Sequence, residues 1–354
     1  MPFCSAERGG RKISKLNKTR EELAELFLQS LSEERLPWNQ PWVNSGPGLF
    51  DSINAITQKQ YRGINALRLW VESIQKQYAD PRWCTYRQAS GKGWQVRRGE
   101  KGTPVELWKV YDRKEKMSLD FAEYHRILAA DPDRGGDFQI YAKTFVVFNG
   151  QQIEGIPALP QENHIPPEYK NEMLASFAEN YLSAERIPLE RAGYAAYTPS
   201  RDCLKMPDKD AFHSEMGYYE TLFHEIAHST GHETRLNRPL LNGGDIEAYA
   251  NEELRAEIGS AFLLSAAKCD VPDSVTENNK AYIQNWAANI KDKPDALFAA
   301  IKDAGAICDF VSERGQLPAL LERYRQEQDV LDEFSPDVFE ISPPAEETAE
   351  ALAM

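Results

Sequence analysis

The segment His224-Glu225-Ile226-Ala227-His228 sets two imidazoles and a carboxylate at a spacing suited to hydrolytic metal chemistry. Residues four apart share one face of an α-helix, so both rings can reach a single ion. Zn2+ accepts two neutral His nitrogens and, in hydrolytic sites, a third protein ligand and a water. Glu225 directly follows the first His. Beside that water it can act as general base and later pass the proton to a leaving amine. The plainer alternative is a core helix whose histidines are only hydrogen-bonded. The flanks favour the metal site. Tyr218 to Phe223 lead in with helical periodicity and no Gly or Pro, and Gly231 follows where a helix C-terminus is expected.

The third ligand must come from a second element. A metzincin-type site needs a His six residues after His228, where this chain has Thr234. His232 lies four residues beyond His228, but a helix ending near Gly231 carries it away from the ion. The stretch Glu252 to Phe262 offers a gluzincin-type solution. Glu253 and Glu257 share one helical face, and Leu254, Ile258, Ala261 and Phe262 form a stripe to bury. Glu253 is the expected ligand. Glu257 is expected to accept the second N–H of a ligand His, which fixes tautomer and ring orientation. Glu252 and Glu257 stay open as alternative ligands.

The 354 residues and 42% hydrophobic content suffice for two domains of ordinary size. No apolar run is long enough to span a bilayer, so no membrane partner is expected. The start, Met1 to Ser5, lacks an apolar secretory core, and the five Cys (4, 84, 203, 269, 308) are scattered and odd in number. Together these features predict reduced thiols and a cytoplasmic protein.

Charge is unevenly spread. Residues 1–150 carry 24 Lys/Arg against 18 Asp/Glu, a net of +6, while the remainder carries 17 against 37, a net of −20. An anion-binding N-terminal half follows.

Periodicity predicts helices over Thr19–Leu31 and Ile64–Gln77 and strands over Trp94–Val96, Val105–Tyr111 and Tyr141–Phe148. A charged stretch from about Asp112 to Asp137 reads as an insertion. In the second half, a helix over about Glu168–Glu185, short strands near Tyr194–Met206, the two metal-bearing helices and two or three more are expected. The fold class is α+β with two domains. The expected division is a flexible leader (1–17), a nucleic-acid-binding domain (18–155), a Pro-rich linker (156–167), a metallopeptidase domain (168–325) and a disordered acidic tail (326–354). A fragment of about 1–155 is expected to fold alone.

Between Lys59 and Lys101 lie ten Lys/Arg and only three acids, interleaved with six aromatic residues. Cationic side chains neutralise phosphates, and exposed rings stack on unpaired bases whatever the sequence. The candidate contacts are Lys59, Tyr61, Arg62, Trp83, Arg87, Lys92, Trp94, Arg97, Arg98 and Lys101. Each ring could equally be core.

Several motifs carry a resemblance. Tyr61-Arg62-Gly63-Ile64-Asn65, Arg82 to Gln88, Val96 to Gly102 and Val147 to Gly155 resemble the N-terminal single-stranded-DNA-binding domain of ArdC-type antirestriction proteins. Tyr197 to Asp202, Tyr218 to His232, Arg235-Leu236-Asn237-Arg238 and Tyr249 to Glu257 are similar to the zincin-like metallopeptidase domain of the same proteins. The resemblance runs in order over roughly residues 20–325. It implies a protein of plasmids, conjugative elements or phages that coats incoming single strands and shields them from host restriction. Two readings follow. One is a zinc peptidase tethered to single-stranded DNA and acting on some protein substrate. The other is a DNA-binding protein with a structural or vestigial zinc site. The intact general base at Glu225 favours the first.

Overall fold

A computed structural model describes residues 18–33, 51–159, 167–240, 245–269, 286–288 and 290–334. Helix α1 (Lys18–Ser32) turns Leu23, Phe27 and Leu31 inward at a four-residue spacing. Helix α2 (Gly63–Lys76) buries Ala66, Leu67, Leu69 and Trp70. The predicted helices and strands therefore form where periodicity places them, to within a few residues.

The N-terminal half is built on a five-stranded sheet. Its strands are β1 (Ile53–Asn54), β2 (Arg82–Thr85), β4 (Thr103–Asp112), β5 (Met117–Leu119) and β6 (Phe138–Asn149), in the order β1-β2-β6-β4-β5. The spine is the long antiparallel ribbon of β4 and β6, in register from Thr103 opposite Val147 to Asp112 opposite Phe138. Among the described residues, no strand pairs with the outer side of β4 over its first part. There Asn65 of α2 takes both backbone groups of Glu106, donating to its C=O at 2.7 Å and accepting from its N–H at 2.8 Å. The charged stretch 112–137, read as an insertion, has structure of its own. It holds β5, helix α4 (Phe121–Ala130) and a 3-10 turn (Pro132–Asp137). A second small pairing joins β3 (Gln95–Val96) to β7 (Ile153–Glu154). Between β2 and β3, helix α3 (Tyr86–Gly91) starts on a reciprocal cap between Thr85 and Gln88.

The C-terminal half opens with α5 (Pro167–Glu185) and a three-stranded sheet of β8 (Leu189–Arg191), β9 (Ala196–Thr198) and β10 (Cys203–Met206). Strand β10 is central, parallel to β8 and antiparallel to β9. The helices α6 (Glu215–Ser229), α7 (Ile246–Ala266), α8 (Pro294–Arg314) and α9 (Leu317–Phe334) follow, with residues 286–288 and 290–292 also helical. The expected tail from 326 begins inside α9, so 326–334 is helical; the leader 1–17 and residues 335–354 lie outside the described residues.

The main core does not divide at residue 155. Leu23 and Phe27 of α1 and Leu67 and Trp70 of α2 belong to one cluster with Phe177, Phe223, Phe262 and Ile301. Surface contacts reinforce the join: Arg62 pairs with Asp309 at 2.5 Å, and Lys268 pairs with Asp51. Cys84, Cys203, Cys269 and Cys308 are free and buried, and Cys4 lies outside the described residues. Among the described residues no helix is long and apolar enough to cross a membrane.

Candidate metal centre and nucleic-acid surface

Helix α6 starts on Ser214, whose hydroxyl accepts from the Gly217 N–H, and stops at Ser229. Its inward stripe of Tyr219, Leu222, Phe223 and Ile226 fixes its rotation, so His224 and His228 emerge together on the side facing α7. Helix α7 starts on Asp245, which caps the Glu247 and Ala248 N–H groups. The two helices approach closely at Gly259, where an added Cβ would sit 3.3 Å from Ala227 and Ile307. That contact brings the carboxylates of α7 against the imidazoles of α6.

The arrangement assigns each group a place. The Nε2 atoms of His224 and His228 are 3.2 Å apart, and each lies 3.5 Å from one oxygen of Glu253. One ligand atom from each of these three residues falls within 4.8 Å of the others. Each His turns its other nitrogen to a different carboxylate, Nδ1 of His224 to Glu257 at 3.2 Å and Nδ1 of His228 to Glu252 at 3.5 Å. Both Nε2 atoms are thereby left for a metal, because a carboxylate on each Nδ1 fixes the tautomer and ring orientation. The donor set of two imidazoles and one carboxylate fits a divalent ion with open coordination. Glu253 converges with the histidines, whereas Glu252 and Glu257 hold Nδ1 atoms from the outside.

The electrostatics agree. Burial works against a proton on His224, but hydrogen bonds to Glu253 and Glu257 prevail and hold its pKa well above the ordinary value. Burial likewise opposes charge on Glu252 and Glu253, yet both stay below the ordinary carboxylate value. His228 and Arg238 hold Glu252 down, and His224 holds Glu253 down. A pocket of clustered carboxylates around two imidazoles favours a cation.

Two arginines that follow α6 brace this centre. Arg238 donates to Glu252 at 2.8 and 3.3 Å, and also to Thr230 Oγ1 and the Ala227 C=O. It thus ties the end of α6 to the carboxylate behind His228. Arg235 donates to Glu185, to the Ser229 C=O and to Asp202 at 2.5 Å. Asp202 in turn accepts the Tyr197 hydroxyl at 2.7 Å, and the Tyr197 backbone N–H donates to Glu225 at 2.6 Å. Glu225 is buried, and this bond aims its carboxylate from the edge strand β9. His232 turns to Thr234 at 2.9 Å, away from the metal side. Gly231 serves packing: a Cβ there would collide with Leu240 at 2.4 Å.

The N-terminal candidates separate into groups. Lys59, Arg87, Lys92, Arg98 and Lys101 are exposed cations. Arg97 is exposed but engaged, donating to Glu100 at 3.2 Å and to the Gln151 C=O. Arg62 faces Asp309, so part of its charge is already answered. The three ring candidates differ in burial. Trp83 is fully buried, edge-on to Tyr78, and is core. Tyr61 and Trp94 are half-buried, Tyr61 accepting from Asn54 at 3.3 Å and Trp94 packing on a small cluster around Cys84 and Ile153. The exposed ring is Tyr86, the first residue of α3, at 54% exposure. With Arg97, Arg98, Phe148 and the carboxylates Glu100 and Glu154 it lines an open groove of about 580 Å³.

Residues 17–148 match the N-terminal domain of the anti-restriction factor ArdC, and residues 176–303 match a zincin-like metallopeptidase domain. Crystal structures of the antirestriction protein ArdC from plasmid R388, Mn(II)-bound and metal-free, superpose with TM-scores of 0.63 and 0.61 at 29% identity. In each case 84% of this chain and 97% of the other are covered. The chain belongs to the ArdC antirestriction family.

Other proteins with similar sequence differ in length and name. A DNA primase TraC of Escherichia coli is 36% identical over 295 residues, but this chain spans only 27% of its length. The uncharacterized protein y4eC of Sinorhizobium fredii is 30% identical and matched over 90% of its length. Within this ArdC-family chain, Tyr86, Arg235 and Arg238 are the groups that sequence reasoning left unassigned. The cap signal Thr85-x-x-Gln88 was available for α3 and would have put Tyr86 at the exposed start of a helix.

Proposed function

We propose that this chain is an antirestriction protein that binds single-stranded DNA through residues 18–155 and hydrolyses a protein substrate at the His224/His228/Glu253 centre, protecting incoming mobile DNA. The observation that carries the catalytic part is the division of labour at the histidines: both Nε2 atoms turn to Glu253 while separate carboxylates hold both Nδ1 atoms. A site with three ligands and an adjacent base is the catalytic pattern; structural sites are closed by four. One Zn2+ per chain is the expected ion. When bound there, it supplies Lewis-acid polarisation of water and of a carbonyl oxygen.

The protein's own groups do the rest. Tyr197 N–H orients the Glu225 carboxylate and leaves its other oxygen to receive a proton from water and return it to the leaving amine. Arg235 keeps that arrangement in place through Asp202. On the DNA side, Tyr86 and the cations of the groove supply stacking and phosphate neutralisation. Support for this part comes from the positive N-terminal half and from the family.

The test compares wild type with Glu225→Gln in protection of incoming DNA and in single-strand binding. Glu225→Gln should keep metal and DNA binding while losing any proteolysis, because only the base is removed. Full protection by Glu225→Gln would favour the second reading, a DNA-coating protein whose metal site is structural. Arg98→Ala should lower affinity for all sequences and flatten the salt dependence by up to about 0.7 in log–log slope, one phosphate contact on a single strand.

A further inference from the structure

The β4–β6 ribbon sorts its residues by face, and the sorting is chemical. Residues opposite each other in the register share a face, so Lys109 lies with Tyr141, and Tyr111 with Gln139. One face carries Lys109, Tyr111 and Arg113 along one strand and Tyr141, Lys143 and Phe145 along the other. That makes three cations, three aromatic rings and one carboxylate, Asp137 opposite Arg113, which is paired to Arg134. Arg113 reaches across to Gln139 at 3.5 Å, and the Lys143 ammonium lies 5.3 Å from the Phe145 ring. The opposite face carries the acids Glu106 and Asp112, neutralised by Arg20 and Arg134. It is covered in part: Tyr124 of α4 packs edge-on to Phe138, and the Arg20 guanidinium sits over Trp108.

The first face is packed only at its near end, where Val105 and Phe145 meet Leu69 and Trp83. Beyond that, among the described residues, no side-chain hydrogen bond or ion pair takes up Lys109, Tyr111, Tyr141 or Lys143. Leu107 between them is 48% exposed. On this face Leu107 and Lys143 are exposed and Lys109, Tyr111 and Tyr141 are half-buried, and exposed apolar surface rimmed by polar groups marks an interaction site. Rings spaced along a strand among cations suit a polyanion with flat, stackable groups. From Gln139 to Phe145 the face extends about 20 Å at the usual strand rise.

We propose that this face of the β4–β6 ribbon is a second single-stranded-DNA platform, separate from the Tyr86/Arg98 groove. The proposal rests on the single-strand reading above and gives it a surface. Bases stack on Tyr111 and Tyr141, while Lys109, Arg113 and Lys143 neutralise phosphates. Duplex DNA, whose bases are stacked and paired, gains only the phosphate contacts.

The test uses the full chain and fluorescence anisotropy on labelled oligothymidylate of short and long length across a salt series. Tyr111→Ser/Tyr141→Ser should lower affinity for the long oligonucleotide at least about tenfold with little change in salt slope. Lys109→Gln/Lys143→Gln should reduce the salt slope by up to about 1.4, two phosphate contacts on a single strand. Ile140→Ser, on the opposite face, should leave binding unchanged, and unaltered thermal unfolding of all three variants checks the fold. Wild-type binding in both double variants overturns the platform but not the single-strand reading. An equal loss of duplex and single-strand affinity in the tyrosine variant also overturns it. A wild-type chain that binds no single strand removes both.

Discussion

Arg238 shows how a residue outside the candidate ligand set would act on a metal bound there. Its guanidinium holds Glu252, and Glu252 holds the Nδ1 side of His228. Arg238→Ala removes the strongest hydrogen bonds on the buried Glu252, leaving it only Arg255 at 3.7 Å and His228, and so loosens its hold on the imidazole. Losses of this kind cost roughly 10–100-fold in metal affinity. Calorimetric zinc titration should show that drop, with Arg238→Lys intermediate because a single ammonium cannot replace the planar fork. Unchanged affinity in Arg238→Ala would mean that the clamp is only structural. Much of this residue-scale site was legible beforehand. The i, i+4 histidines and the acidic helix at 252–257 follow from helical periodicity alone. Arg235 and Arg238 were not legible, because nothing in local spacing says which carboxylate a loop arginine will meet. Trp83 failed for the complementary reason: composition counts rings but not which side of a strand faces the core.

At the scale of elements, the centre depends on how closely α6 and α7 approach. Gly259 sets that distance, with Ala227 opposite. A Gly259→Val substitution forces β-branched atoms into space already filled at 3.3 Å from Ala227 and Ile307. Overpacking of this kind typically costs about 1–3 kcal/mol. Moving α7 outward also draws Glu253 and Glu257 away from His224. The expected result is a lower unfolding temperature together with weaker zinc binding, read by calorimetry with and without chelator. A stable variant with normal zinc affinity would show that the helix spacing is not set at this glycine. Helices and the long strands were legible because they carry strong periodicity. The short elements β8 and α3 escaped, since three to six residues give a periodic signal too little length.

At the scale of the whole molecule, charge suggests two halves while packing makes one body. Leu23, Phe27, Leu67 and Trp70 are buried against helices of the second half, so a fragment of about 1–155 would expose them. Such a fragment should bind hydrophobic dye and unfold at a lower temperature than the intact chain. Cooperative unfolding of the fragment at the full-chain temperature would contradict a shared core. In the proposed function, this shared core joins the half that holds DNA to the half that hydrolyses. Everything in that picture depends on the metal being where the histidines converge. The most direct measurement is therefore the zinc content of the purified full chain and its variants by mass spectrometry. About one Zn2+ per chain is predicted for wild type and Glu225→Gln, and close to none for His228→Ala. Stoichiometric zinc retained in His224→Ala/His228→Ala would contradict the account.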